Sequence, residues 1–298
     1  MKTTFPLLLG FLLLAAPAPV QAQFIYTTND ATITLAIYTG NGGAVLISNF
    51  VTSIGATAFS ECTNLTSVTI PGSVRNIGDY AFYDCTSLTS ITIPASVTNI
   101  GAVPFENCAS LTAITVDPNN SFYSNLGGVL FNLSETTLVE YPAGLVGSYR
   151  IPGSVTSIGD YAFADCTSLT SVYFTGNAPN ADSTVFFRYV GVGYGNPTAY
   201  YLPGTTGWAD FSANTGIPAV LWNPLIQPSG PNFGVQNSQF GFNIAATNNL
   251  IVVVEACANL ANPVWVPLTT NTLFNGSFYF SEPFQPAASA RFYALVMP

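Results

Sequence analysis

The sequence predicts a β-rich solenoid, and three observations carry that reading. Residues 74–93, VRNIGDYAFYDCTSLTSITI, recur with small changes at 51–70, 97–116 and 155–174. Cys62, Cys85 and Cys108 stand 23 residues apart, and Cys166 holds the same place in the fourth copy. The letters kept between copies are almost all apolar. A fixed period in this range marks units that stack because none can bury its apolar face alone. A catalytic motif would be expected once, not four times.

The chain opens with Lys2, an apolar run from Leu7 to Ala16, and the small-residue ending Val20-Gln21-Ala22. This pattern predicts a secretory leader over 1–22, cleaved between Ala22 and Gln23, because the run is too short to span a bilayer. After cleavage no membrane insertion is expected. Residues 23–50 alternate apolar and polar side chains around a turn at Gly40 to Gly43 and predict a β-hairpin cap, with Val45 to Ile47 as its last strand.

The solenoid is expected over 51–222. In each unit Leu88, Ile91 and Ile93 give the alternation of a short half-buried strand, and Val97 to Gly101 a second extended piece. Asp79-Tyr80-Ala81-Phe82 predicts a tight helical turn capped by Asp79. About eight apolar side chains per coil point inward, each worth roughly 1.5–3 kcal/mol on burial, while ordering each residue's backbone costs about 1–2 kcal/mol. One coil therefore cannot stand by itself. The core positions are Phe59, Cys62 and Leu65; Phe82, Cys85 and Leu88; Phe105, Cys108 and Leu111; and Phe163, Cys166 and Leu169. In a stack the cysteines form a column, so buried free thiols are expected in preference to bridges.

Residues 119–148 interrupt the period with a hairpin expected to project from the stack. Residues 175–222 predict a last rung and a cap. The segment 223–231, NPLIQPSGP, predicts a linker. Short strands between turns over 232–298 predict a small antiparallel β-sandwich.

The motif I-G-x-x-A-F-x-x-C-x-x-L-x-x-I-x-I-P fits Ile77 to Pro94 at every marked position and resembles the consensus of the BspA-like leucine-rich-repeat proteins. Pro104 and Asp117 are departures in the third copy. The resemblance implies a right-handed leucine-rich-repeat solenoid with a parallel strand ladder, in a bacterial family of secreted or surface binding scaffolds to whose repeats no catalytic residues are assigned. The C-terminal segment resembles a module of secreted bacterial proteins.

Charge narrows the function. Without Lys2 four arginines face 14 acids, so the formal charge moves from −9 to −10. Such a chain cannot neutralise a phosphate backbone or an anionic membrane, so nucleic acid is not an expected partner. It has no His, which removes Ser-His-Asp and Cys-His chemistry and His-bearing metal sites. No cofactor is expected. Glu61 and Asp84 would lie about 5 Å apart on adjacent rungs, a glycosidase-like spacing, but they read better as solvated turn acids.

Aromatic residues gather towards the end of the solenoid: Tyr173, Tyr189, Tyr194, Tyr200, Tyr201 and Trp208. They either close the stack or also contact a ligand. Thr69, Thr92 and Thr115 recur on the strand face and are the other candidate contacts. The expectation is a non-enzymatic adhesion scaffold for an extracellular protein or glycan. The alternatives are a carbohydrate-active enzyme or carbohydrate-binding protein, and a purely structural envelope component.

Overall fold

The computed structural model describes residues 23–188, 196–284 and 290–298, so the leader read in 1–22 lies outside the described residues. The chain forms a β-solenoid followed by two antiparallel sheets. Strand Phe24–Asn29 pairs antiparallel with Thr32–Tyr38, which starts one side of the stack by pairing parallel with Ser53–Ile54. The hairpin turns at Asp30 rather than at the glycines, and Asp30 takes the left-handed φ of 50° there. Gly43–Leu46 instead begins the second side, parallel to Leu65–Thr69.

Each rung contributes two strands. Asn76–Ile77 pairs with Ser53–Ile54 and Asn99–Ile100, while Ser90–Ile93 pairs with Ala113–Val116. Gly78 is fixed by this stacking, because a Cβ there would come within 2.5 Å of the Ala56 amide nitrogen. The I-G of the repeat is thus a close-approach requirement.

The expected helical turn is not helical. Tyr80 and Asp84 hold φ of 54° and 57°, and the same two places in the neighbouring rungs do likewise, at Thr57 and Glu61 and at Val103 and Asn107. These turns let alternate amides reach the next rung: Phe59 N to Ala81 O at 2.7 Å and Glu61 N to Tyr83 O at 2.7 Å. Asp79 caps across rungs, its Oδ1 accepting the Ala102 amide at 2.8 Å. Left-handed backbone is tolerated best by Gly and the short polar residues. Asp84→Val should therefore lower stability by about 1–2 kcal/mol, measurable by chemical unfolding, whereas Asp84→Asn should leave it unchanged.

Aromatic rings line the interior of the turn side. Phe59 and Phe82 stack at 5.0 Å and 9°, Phe82 and Phe105 at 5.6 Å and 20°. The column resumes as Tyr141, Phe163 and Phe186, each pair 5.0 Å apart. Cysteine packs beside it, and Cys85 and Cys108 donate Sγ–H to the Phe59 and Phe82 carbonyls, both at 3.1 Å. All five cysteines are free.

The insertion does not project. Tyr123–Leu126, Val129–Asn132 and Thr137–Glu140 form a meander whose last strand pairs parallel with Ser157–Ile158 and so supplies a rung. Phe131 and Leu138 are fully buried, and apolar side chains of this kind cannot be held out in water. Asn120 anchors the entry, donating to the Pro94 and Val97 carbonyls and accepting the Phe122 and Tyr123 amides. The core divides at this point, with Leu130 in the N-terminal stack and Val129 and Phe131 in the C-terminal one.

Beyond it, Gly147–Ile151, Leu169–Phe174, Thr198–Tyr201 and Ala219–Leu221 form a continuous parallel sheet. An eight-residue helix, Trp208–Thr215, closes the core with Trp208 and Phe211. Within the segment read as a linker, Leu225–Gln227 is a strand pairing with Asn243–Ala245; its flanking prolines sit at the strand ends, where no ladder donor is required. The C-terminal unit has a four-stranded sheet that includes Gln239–Ala245 and Ser277–Pro283, and a three-stranded one built on Leu250–Cys257, Val266–Leu273 and Phe292–Val296. Side chains of both sheets share one core.

Candidate binding face

The parallel strands present alternate side chains to the core and to the outside. In the N-terminal stack the outward positions are Ser67 and Thr69, Ser90 and Thr92, then Ala113 and Thr115. All are exposed except half-buried Ala113. Register places Thr92 directly beside Thr115, with their hydroxyls 2.8 Å apart. The Thr115 hydroxyl also donates to the Ile91 carbonyl at 3.2 Å, which fixes its rotamer. None of these side chains is charged. The result is a shallow plane of hydroxyls and methyl groups with Leu46, 70% exposed, at its N-terminal edge.

The same face of the C-terminal stack is covered. Register aligns Arg150, Tyr173 and Tyr200 in one outward row. Tyr173 and Tyr200 stack at 5.1 Å, and Tyr173 has no exposed surface because it packs into the core of the C-terminal unit with Phe242, Leu250 and Val252. The Arg150 guanidinium donates to the Met297 carbonyl. The Trp222 indole N–H donates to the Ile251 carbonyl at 3.1 Å. The last two units of the chain are therefore locked together.

This placement corrects part of the sequence reading. Tyr173 is internal, and Tyr200 is half-buried beneath the same contact. Tyr201 stacks on Trp208 at 4.7 Å and 5°, and Trp208 is 5% exposed. These rings close the stack, because the apolar end of a solenoid has no next rung to bury it. Tyr189 and Tyr194 lie outside the described residues. Thr92 and Thr115 lie side by side, and Thr69 holds the same exposed position of the preceding rung. The sequence reading missed Ser67 and Ser90, although an S-x-T alternation marks both of those strands.

The acids weighed as a catalytic pair lie in the backbone turn, and the Asp84 Oδ1 accepts a hydrogen bond from the Asn107 side-chain Nδ2 at 2.6 Å. Two acids not singled out in the sequence are buried: Glu106 and Glu140. Burial pushes the Glu140 carboxyl well above its usual range, and Glu106 adds to the effect. Glu106 is raised by burial and then by Asp165. Two thiols are also suppressed as nucleophiles: burial, then Cys85, takes Cys62 up to about 11, and Cys166 is raised by burial. Among the described residues no three His, Cys, Asp or Glu side chains group to hold a metal ion, and no helix is long and apolar enough to cross a membrane.

A groove of about 570 Å³ opens on the turn side between Asn107 and Ala109 of one rung and Asp165, Thr167 and Ser168 of another. Ala143 of the inserted rung also lines it. Gly144 is drawn in against the preceding rung, its amide donating to the Leu111 carbonyl at 2.9 Å.

The chain can be set beside known proteins. It is similar to the pneumococcal vaccine antigen PcpA, at 26% identity over 46% of this chain and 34% of that one, with a TM-score of 0.44. A leucine-rich cell surface protein from Faecalibacterium prausnitzii is 37% identical over 44% of this chain and 35% of its own, with a TM-score of 0.40. The leucine-rich repeat protein of T. pallidum is 30% identical over 52% of this chain and 70% of its own, with a TM-score of 0.38. The chain thus spans about a third of the length of the first two of these structures. A comparison with curated proteins finds no match. The family model for the BspA type leucine-rich repeat region matches in six copies over residues 38–145 and 144–190. With the repeat, the aromatic column and the parallel ladder in agreement, the chain belongs to the BspA-type leucine-rich repeat family.

Proposed function

We propose that the chain is an exported, non-enzymatic binding scaffold that recognises an extracellular protein or glycan on the outer face of its first rungs. The observation that carries this reading is the contrast between the two halves of the strand face. The C-terminal half is filled by the chain's own last unit, while Thr92 and Thr115 stay open in register and Thr69 is exposed at the same position of the preceding rung. A flat, uncharged plane of hydroxyls offers both donors and acceptors at regular spacing. It suits a partner that is itself neutral, because a chain of net charge near −10 repels anions. The family relationship supports the same reading, since one similar protein is a leucine-rich cell surface protein.

Residues 23–298 applied to an array of glycans and extracellular-matrix proteins should give at least one specific signal. Thr92→Arg and Thr115→Arg place a long charged side chain on an open surface. They should weaken that signal about tenfold or more while leaving thermal unfolding unchanged. A signal indifferent to both would remove the site from this face.

A further inference from the structure

The C-terminal unit carries a second surface of different chemistry, which does not depend on the reading of the strand face. One side of its four-stranded sheet sends Phe242, Ile244 and Phe280 into the core. On the other side Gln227, Asn243 and Tyr279 lie in register across three strands, and Gly234, Gly241 and Ser281 form the next row. Tyr279 is 42% exposed, yet it does not stand away from the sheet. Its phenol end lies over Gly241, where a Cβ would come within 2.2 Å of the Tyr279 Oη.

Glycine within a strand ordinarily weakens it and marks a place where another group approaches closely. Here its missing side chain lets the ring lie along the sheet. One ring face covers backbone and the other is left to water. The two rows carry amides, a hydroxyl and a phenol but no charge. Glu282 and its partner Arg291 belong to the opposite side, because Glu282 is in register with Phe240.

We propose that this face binds a neutral polysaccharide chain. A sugar ring presents a face of C–H groups, which an aromatic face attracts, and a rim of hydroxyls that both donate and accept. Tyr279 supplies the platform, while Asn243, Gln227 and Ser281 supply amide and hydroxyl partners across three strands, a span of about 10 Å. An anionic polymer would find no cation in these rows. A second copy of the chain would find the Tyr279 ring and, in the row on its other side, Leu225, 68% exposed, and Ala245, less apolar area than a stable dimer buries.

Residues 23–298 should be tested for retention on cellulose, β-1,3-glucan, mannan and starch, with alginate and heparin as anionic comparisons. The expected result is retention on at least one neutral polymer, insensitive to added salt and weakened roughly threefold to tenfold by Tyr279→Thr. Asn243→Leu should act in the same direction. If Tyr279→Thr fails to fold, Asn243→Leu and Gln227→Leu decide the matter, because neither underlies the ring. Absence of retention on all four neutral polymers overturns the proposal, as does retention on the anionic polymers alone. So does retention unchanged in folded variants, which would leave the ring as a cover for Gly241. A dimer at high concentration that Tyr279→Thr abolishes would assign the face to a second copy and overturn it as well.

Discussion

Phe82→Ala should remove about 3–5 kcal/mol from the stability of the solenoid, the usual cost of a phenyl-sized cavity in a packed core. Phe82 has no exposed surface and is sandwiched between Phe59 and Phe105. Its carbonyl also accepts the Cys108 thiol. The neighbours cannot collapse into the space, because their spacing is set by backbone hydrogen bonds from rung to rung, Phe82 N to Pro104 O at 2.8 Å among them. Phe82→Leu should recover part of the loss by refilling volume without the stacked geometry. Chemical unfolding followed by tryptophan fluorescence and by circular dichroism would measure both variants. Since stacked coils depend on their neighbours, loss at Phe82 should destabilise the N-terminal core before the C-terminal one, and the two probes should then separate. The three tryptophans, Trp208, Trp222 and Trp265, all lie in or beyond the C-terminal stack. Fluorescence would therefore report the later event. A change below about 1 kcal/mol would show that the column is not a continuous core.

Much of this architecture was legible because the repeat writes its core in fixed letters. Phe82, Cys85, Leu88, Ile91 and Ile93 recur at one period, which is the signature of stacked units. The turn was harder to read. Asp79-Tyr80-Ala81-Phe82 has the composition of a capped helical turn, and the left-handed φ at Tyr80 follows only from hydrogen bonds made to the next rung. Such bonds are long-range and leave no local signature. The insertion was misjudged for a similar reason. A hairpin flanked by glycines looks the same in sequence whether it projects or stacks, and only the pairing of Leu138 with Ile158 settles its place.

The candidate site was half legible. The alternation of apolar and polar residues placed Thr69, Thr92 and Thr115 outward, as strand geometry requires. Tyr173 obeys the same alternation and also points outward, yet it is internal to the molecule because the C-terminal unit covers it. Aromatic residues on an outward column are consistent with a ligand site and with an intramolecular contact alike. Periodicity alone does not separate the two.

Glu140→Gln should raise the stability of the protein at neutral pH by on the order of 1 kcal/mol or more, since an ionised carboxylate is costly to bury without a partner. Glu140 is 6% exposed, and burial and then the neighbouring Glu106 both disfavour its ionised form. It occupies the place that Ala81 and Ala162 fill in regular rungs, immediately before the stacked aromatic. Its raised folded-state pKa fixes the sign. Below the ordinary carboxyl value of 4.5 the group is neutral in both folded and unfolded chains, and the stability is fully present. As pH rises the unfolded chain ionises first, and stability is lost progressively through the folded-state value. Glu106 acts in the same direction. Asp182 and Glu282 act oppositely, because hydrogen bonds lower their values, from Thr184 for Asp182 and from Arg291 and Tyr293 against burial for Glu282. Their contribution is lost only as pH falls through the acid range, so the interval above the ordinary carboxyl value reports mainly on the buried pair. The melting temperature of the unsubstituted chain should accordingly fall between mildly acidic and neutral pH, by about 2–4 °C for each kcal/mol. In Glu140→Gln that slope should flatten, and with Glu106→Gln added it should nearly vanish. A melting temperature that rises over the same interval, or a slope untouched by the double substitution, would show that the two carboxyls ionise freely in the folded protein.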